Sequence, residues 1–96
     1  SGGRSPYGYK VQNGRLTINE NEANIVKKVF EFQEQGKTLQ DTADWFNDNG
    51  YITRSGKKFY PSHIKSIRDN KPLYMGMYKY GKMTDWVKGV HEPLIK

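Results

Sequence analysis

The sequence contains no cysteine, no long apolar run and little core-forming material for its length. Without cysteine, neither disulfides nor a thiolate metal site can stabilise the fold. No apolar stretch approaches the roughly 20 residues that a membrane-spanning helix needs, and no signal-peptide pattern opens the chain. Hydrophobic residues make up 34% of the 96 residues, although 14% are aromatic and each of these buries a large area. We therefore expect one small, marginally stable domain without membrane association, compatible with a reducing cytosol.

Acidic residues are absent from parts of the chain, and the net charge of +6 is unevenly distributed. Residues 1–19 contain three basic side chains and no acid, whereas residues 20–48 contain three lysines and seven acids. Residues 49–96 contain ten basic side chains and three acids. An acidic middle followed by a basic second half favours a polyanionic partner, but an ordinary basic surface explains the composition alone about as well.

Two capped helices are predicted in the first half of the chain. Asn19 is a candidate N-cap with Glu22 at capping-box spacing, and Gly36 suits a left-handed helix end. A second helix is predicted to begin after Thr38 and to end at Asn49-Gly50. Apolar residues recur at helical spacing in both segments: Ala23, Val26, Val29 and Phe30 in the first, and Leu39, Thr42, Ala43 and Phe46 in the second.

The remaining elements predict an α+β fold that resembles a winged helix. Pro61 suits the first position of a third helix that reaches Asp69 or Asn70 before Pro72 stops it. Alternating residues over 73–80 predict a strand, with a turn at Gly81-Lys82 and a return strand over 83–90. We therefore predict a single domain over residues 1–96. It comprises an extended arm or short strands around a turn at Asn13-Gly14 (1–18), a three-helix, helix-turn-helix-like core (19–72), and a C-terminal β-hairpin with its tail (73–96).

The third helix carries the candidate nucleic-acid surface. At about 100° per residue, Ile64 and Ile67 face the core, which leaves a polar outer face with little to obstruct entry into a major groove. We expect groove contacts from Ser62, His63, Lys65 and Ser66. Basic residues near the helix are expected to bind phosphates, with Arg68 lying toward the core edge: Arg54, Lys57, Lys58, Arg68 and Lys71.

An ordered series of short motifs along almost the whole chain resembles the recombinase domain of large serine recombinases. The series includes Pro6-Tyr7-Gly8-Tyr9, Leu16-Thr17-Ile18, Asn21-Glu22-Ala23, Ile25 to Phe30, Gly36-Lys37-Thr38, Asn49 to Thr53, Gly56 to Phe59, Tyr74-Met75-Gly76 and His91 to Ile95. Each motif alone is unspecific, but their order is informative. Two positions depart from the pattern: Phe59 stands where relatives often have Trp, and Tyr60 stands where a short capping residue is usual.

The resemblance implies a DNA-binding module of a phage or transposon integrase, with the catalytic serine in another domain. The expected partners are double-stranded attachment-site DNA and other recombinase subunits, with no cofactor and no small-molecule ligand. The implied location is the bacterial cytoplasm, associated with DNA. The chain itself is expected to be non-catalytic, because none of its five serines lies in a nucleophile motif.

Two alternatives to duplex DNA binding remain at this stage. The aromatic segment from Tyr74 to Trp86 could instead dock recombinase subunits or an accessory factor, or exposed tyrosines could bind single strands or RNA. A metal site is not expected, because His63 has no carboxylate at ligand spacing. For His91, the neighbouring Glu92-Pro93 indicates a local hydrogen bond.

Overall fold

A computed structural model describes residues 5–80 and 85–96 of the chain. The described residues form a mixed α+β fold with four helices and two small antiparallel hairpins. In chain order the elements are β1 (Tyr9–Gln12), β2 (Arg15–Ile18), α1 (Glu20–Glu34), α2 (Leu39–Asp48), α3 (Pro61–Asp69), α4 (Lys71–Tyr74), β3 (Met77–Tyr78) and β4 (Val87–Lys88). In these two described ranges, no helix is both long and apolar enough to cross a membrane.

The chain divides into two compact units. The first unit comprises Ser1–Lys27 and Asn70–Lys96, and the second unit is Lys28–Asp69. Helix α1 therefore begins in the first unit and ends in the second. The first unit contains both hairpins and α4, whereas the second contains the end of α1 together with α2 and α3.

The N-terminal segment is a β-hairpin, the second of the two forms predicted for it, an extended arm or short strands around a turn. Strands β1 and β2 pair from Tyr9 opposite Ile18 to Gln12 opposite Arg15. The predicted turn at Asn13-Gly14 is confirmed, with positive φ angles of 54° and 74° that match the twist of a tight two-residue connection. The turn residues close the hairpin locally, and the paired strands then satisfy each other's backbone groups.

The N-terminus of α1 is tied to the hairpin by a buried carboxylate. Asn19 Oδ1 accepts the Glu22 amide at 3.2 Å, which is the predicted cap. Glu22 does not return the bond to Asn19, as a full capping box requires; its Oε1 accepts the Gly8 amide at 2.9 Å. The Asn19 amide in turn donates to the Gly8 carbonyl at 3.0 Å. These bonds fix Gly8, which precedes β1, against the start of α1.

The first unit has an aromatic core around Tyr9. Its side chain is fully buried, its ring stacks with Tyr74 at 6.2 Å, and its hydroxyl donates to the Glu92 carbonyl at 2.6 Å. Burial, assisted by the Glu92 carboxylate, raises the pKa of Tyr9 to about 12. His91 packs edge-on against the same ring. A distant backbone carbonyl, that of Leu73, lies 2.8 Å from His91 Nε2, so the local hydrogen bond predicted for His91 is wrong.

The strand predicted over residues 73–80 is also wrong in its first half. Residues Lys71–Tyr74 form the short helix α4, and only Met77 and Tyr78 pair in a strand. Pro72 lies in the first helical turn, where its missing N–H needs no partner. Leu73 and Tyr74 are consecutive and both buried, which a helical turn permits and a half-exposed strand does not. In the described part of the predicted return strand, Val87–Lys88 pair in a strand; the predicted Gly81-Lys82 turn and residues 83–84 lie outside the described residues.

The second unit is built on the predicted helical stripes. Phe46 is fully buried and meets Phe59, Tyr51 and Trp45 with ring centroids 5.1–5.4 Å apart. The predicted cap of α2 is confirmed, because Thr38 Oγ1 accepts the Asp41 amide at 3.0 Å. Helix α3 runs from Pro61 to Asp69 as predicted, and its Ile64 and Ile67 are buried. The exposed side of α3 is therefore set by the two isoleucines.

Candidate nucleic-acid interface

The basic segment before α3 is a closed turn within the second unit. The Thr53 amide donates to the Lys57 carbonyl at 2.7 Å, and the Gly56 amide donates to the Thr53 carbonyl at 2.8 Å. Thr53 Oγ1 accepts the Lys57 amide at 3.1 Å, and Gly56 has the positive φ of 82° that the reversal requires. We call residues 53–58 the basic turn. It holds three exposed cations, Arg54, Lys57 and Lys58, on an ordered backbone.

Asn47 joins this connector to α2, and the sequence analysis missed its role. Its Nδ2 donates to the Phe59 carbonyl and its Oδ1 accepts the Phe59 amide, both at 2.8 Å. A single side-chain amide therefore satisfies both backbone groups of the residue that follows the basic turn. An asparagine in the last turn of a helix, half-buried in the structure, is a weak sequence signal because helix ends accept asparagine for many reasons.

Helix α3 begins with a bond that replaces the missing cap at Tyr60. Tyr60 has no short side-chain oxygen, but its backbone amide donates to His63 Nδ1 at 2.9 Å. His63 is at the third helical position, where capping boxes carry Glu or Gln, and it supplies the same backward-reaching acceptor. Its ring also packs against Phe59 and Tyr60. Because Nδ1 accepts, the proton of the neutral imidazole is on Nε2.

The outward side of α3 matches the set expected from the helical wheel. Ser62, His63, Lys65 and Ser66 are all exposed. Lys65 Nζ lies 2.6 Å from Asp69 Oδ2, one helical turn away, and both side chains are more than half exposed. Pairs of this kind are worth little in water, so a phosphate can replace the Asp69 carboxylate at small cost.

Arg68 and Lys71 differ from the other predicted cations. Arg68 is half-buried, and its Nη2 donates to the Lys37 carbonyl at 2.9 Å, which ties α3 to the residue that follows α1. Its Nε is buried without a hydrogen-bond partner among the residues described. Lys71 is exposed at the start of α4 and belongs to the first unit.

The segment from Tyr74 to Trp86, proposed above as an alternative docking surface, belongs to the first unit and contains both buried and exposed aromatic side chains. Tyr74 is buried, whereas Tyr80 is 47% exposed. A cleft of about 700 Å³ is lined by Tyr78, Tyr80 and Val90, and also by Arg15 from β2. Lys79 lies over the ring of Trp86, with 4.7 Å between Nζ and the ring centroid. This cleft is the feature that would suit a partner's side chain.

Comparisons with known proteins agree with the sequence motifs. The family model described as Recombinase matches residues 20–96. A solved complex of a large serine recombinase (LSR) with DNA is 27% identical, with a TM-score of 0.74, and the match covers 94% of this chain and 26% of that chain. A structure from a study of the sequence requirements of the Listeria innocua prophage attP site is 28% identical, with the same TM-score. That match covers 93% of this chain and 36% of the other. No curated protein sequence matches.

The chain thus spans about a quarter to a third of the length of these two structural relatives. The family model covers far more than half of the chain, and the two structures share its fold over nearly all of it. The resemblance inferred from the ordered motifs is confirmed: the chain belongs to the Recombinase family and is similar to one module of large serine recombinases.

Proposed function

We propose that this chain is a DNA-binding module of a large serine recombinase and that it anchors the enzyme on attachment-site DNA. The observation that carries the proposal is the basic turn, where an ordered backbone presents three exposed cations directly before α3. Preordering reduces the entropy lost when the side chains meet phosphates. The two similar structures, from an LSR–DNA complex and a study of an attP site, support the assignment.

The proposed contacts divide into two groups. Arg54, Lys57 and Lys58 bind phosphates and provide affinity that depends on salt. Ser62, Lys65 and Ser66 face the major groove, together with His63, whose Nε2–H acts as a donor to an acceptor such as purine N7. Lys71 is proposed as a further phosphate contact from the first unit.

Arg68 is proposed to bind phosphate only with the guanidinium N–H groups that are not used in its hydrogen bond to the Lys37 carbonyl. Its main effect is expected through the position of α3, because Nη2 already holds a backbone carbonyl. Arg68→Met keeps the packed stem and removes the guanidinium. If Arg68 acts only through the position of α3, the salt dependence of DNA binding is unchanged in this variant; a phosphate contact would make the slope less steep by about 0.9.

The direct test is fluorescence-anisotropy titration with attachment-site and random duplexes over a series of salt concentrations. We expect K57A/K58A to make the plot of log binding constant against log salt less steep by about 1.8, because two phosphate contacts are lost. K57R/K58R, which keeps both charges, is the matched control. Undetectable binding of the unaltered chain at low salt would refute the proposed function, and an unchanged slope in K57A/K58A would refute the basic turn as its phosphate-binding surface.

The module is proposed to contribute binding without strand cleavage, which in the parent enzyme would come from a catalytic domain and from association with other subunits. The expected result is that the chain shifts supercoiled attachment-site plasmid on a gel without nicking it. Nicking that survives purification and is absent in a buffer control would contradict this part of the proposal.

The aromatic cleft of the first unit favours a second candidate function, the docking of another recombinase subunit or an accessory factor. Lys65→Glu is expected to abolish DNA binding while leaving a protein contact intact, and Tyr80→Ala is expected to do the reverse. Competition between duplex and single-stranded probes separates both functions from base stacking on exposed tyrosines.

A further inference from the structure

The register of the N-terminal hairpin separates its residues into two unlike faces. Residues directly opposite each other in an antiparallel pair point to the same side, and sides alternate along each strand. Lys10 pairs with Thr17, and Gln12 pairs with Arg15. These four residues therefore share one face, which is polar and carries two cations. The other face is apolar, with Tyr9, Val11, Leu16 and Ile18.

The polar face is exposed and is not neutralised by acids. Lys10, Gln12 and Arg15 are exposed, and Thr17 is half-buried with its hydroxyl donating to the Lys10 carbonyl. Among the described residues, neither Lys10 nor Arg15 has an ion-pair partner, in contrast to Lys65 on α3. No acid occurs between residues 5 and 19. The hairpin thus presents two uncompensated positive charges to solvent.

The register places the Cβ atoms of Lys10 and Arg15 close enough together for the two side chains to reach neighbouring phosphates. Arg15 is two residues before Thr17, the partner of Lys10, so Lys10 and Arg15 are diagonal neighbours. Such neighbours have Cβ atoms roughly 7–8 Å apart on a sheet face. This is similar to the separation of successive phosphates on one DNA strand. Gln12 is directly opposite Arg15 and two residues from Lys10 on the same face, and its amide can donate to a phosphate oxygen.

The distribution of charge between the two units supports the same conclusion. The second unit has seven cations and six acids, a net charge of +1, although it contains the basic turn and α3. The first unit has nine cations and four acids, a net charge of +5. Most of the net positive charge of the chain is therefore outside the unit to which the sequence analysis assigned nearly all DNA contacts.

The hairpin is held rigidly where it joins the first unit. Its first strand begins at the buried Tyr9, and its base is bonded to α1 through Gly8, Asn19 and Glu22. Its polar face is therefore presented by an ordered two-stranded ribbon, a shape that other proteins use against DNA.

We propose that the polar face of β1–β2 is a second DNA contact, in which Lys10 and Arg15 bind phosphates of the duplex with help from Gln12. This rests on the proposed DNA-binding function and extends it to a surface independent of α3. It predicts that the first unit contributes its own share of the salt dependence.

The test compares the 96-residue chain with K10A/R15A on a mixed-sequence duplex, by anisotropy titration from about 50 to 200 mM salt. We expect the variant to bind more weakly at low salt and to have a slope less steep by about 1.8. Over this fourfold salt range, the unaltered chain then loses about twelvefold more affinity than the variant. The charge-preserving K10R/R15K and the exposed α1 change K27A are the controls. K10R/R15K is expected to keep the slope of the unaltered chain, and thermal unfolding confirms that each variant is folded.

The outcomes separate this proposal from the proposed function. If the unaltered chain does not bind DNA at low salt, both fail. If the plot of log binding constant against log salt becomes less steep in K57A/K58A but not in K10A/R15A, only the hairpin contact is refuted. If the change in slope in K10A/R15A is no more than twice the change in K27A, which removes one charge instead of two, the effect is one of general charge, and the hairpin contact is refuted again. A slope in K10A/R15A that becomes less steep by more than twice the change in K27A supports the hairpin contact whatever K57A/K58A shows.

Discussion

Replacing Gly8 by alanine tests whether the close packing around Gly8 contributes to the stability of the folded chain. Gly8 has φ +97°, a conformation that L side chains rarely adopt. A Cβ placed there would lie 3.0 Å from Leu94 Cδ1, 3.2 Å from Tyr74 Cε1 and 3.3 Å from Val26 Cγ2. All three are core side chains, so none can move aside without disturbing its neighbours.

The expected cost has two parts. The positive φ costs an alanine about 1–2 kcal/mol, and overpacking a filled core typically costs about 1–3 kcal/mol more. Their sum is about 2–5 kcal/mol, a large share of the roughly 5–14 kcal/mol expected for a domain of this size. At about 4–8 °C for each kcal/mol, the midpoint of thermal unfolding should fall by roughly 8 °C at the least.

The assay is equilibrium unfolding in urea, followed by tyrosine and tryptophan fluorescence and by far-ultraviolet circular dichroism. Gly14→Ala is the matched control, because Gly14 also has a positive φ, of 74°, in the same unit, but nothing lies within 4 Å of the added Cβ. We expect Gly8→Ala to be less stable than this control by at least about 1 kcal/mol. Equal losses in the two variants would refute the packing argument and leave only the backbone effect.

Three further predictions concern single side chains. His63→Ala should lose the bond to the Tyr60 amide and about 1 kcal/mol in urea unfolding, whereas His63→Gln, a capping-box residue, should lose less; equal losses would contradict the capping role. Asn47→Ala should cost about 1–3 kcal/mol in urea unfolding and speed hydrogen exchange at the Phe59 amide, and unchanged exchange there would contradict the role of the Asn47 side chain. Because burial raises the pKa of Tyr9 from 10.0 to about 12, the unfolded chain releases this proton first as the pH rises, so Tyr9 stabilises the fold below pH 10 and this contribution is lost between pH 10 and 12. Between pH 9 and 11 the chain should lose about 1 kcal/mol more unfolding free energy than Tyr9→Phe does, and parallel pH curves would contradict this.

Local signals predicted the helices well. Thr38 caps α2 and Asn19 caps α1 because a short side-chain oxygen beside the first turn needs no help from distant residues. Pro61 begins α3 for a similarly local reason, its fixed φ. The buried positions of α3 followed from the helical period, and with them the identity of its exposed residues.

The errors arose where the deciding contact is distant in sequence. Residues 73 and 74 were predicted to be part of an alternating strand. In the structure, the Tyr74 carbonyl accepts hydrogen bonds from the Leu94 and Ile95 amides, and the Leu73 carbonyl lies within hydrogen-bond distance of His91 Nε2. Those contacts stabilise a helical turn that alternation cannot reveal. Glu22 was matched to the capping box, but the buried amide of Gly8 offers it a partner 14 residues away.

The candidate site also combines features that follow from local sequence with contacts between residues distant in the chain. Charge placement alone singled out Arg54, Lys57 and Lys58 as candidate phosphate ligands, and all three are exposed in the structure. It did not identify Asn47, which supports the connector from α2, or the use of Nη2 of Arg68 for a backbone carbonyl. Both are bonds to backbone groups brought near by folding, and residue type does not encode such partners.

By itself, the sequence determined the family, the boundaries of the first three helices and the excess of basic residues in the second half of the chain, because short motifs, caps and charges are local in the sequence. The tertiary structure decided the form of the two hairpins, the fourth helix and the support behind α3. It also decided that Lys10 and Arg15 share one exposed face, which depends on strand register. Register and burial are set by which segments pack together, and a side chain's neighbours in space are known only after the chain has folded.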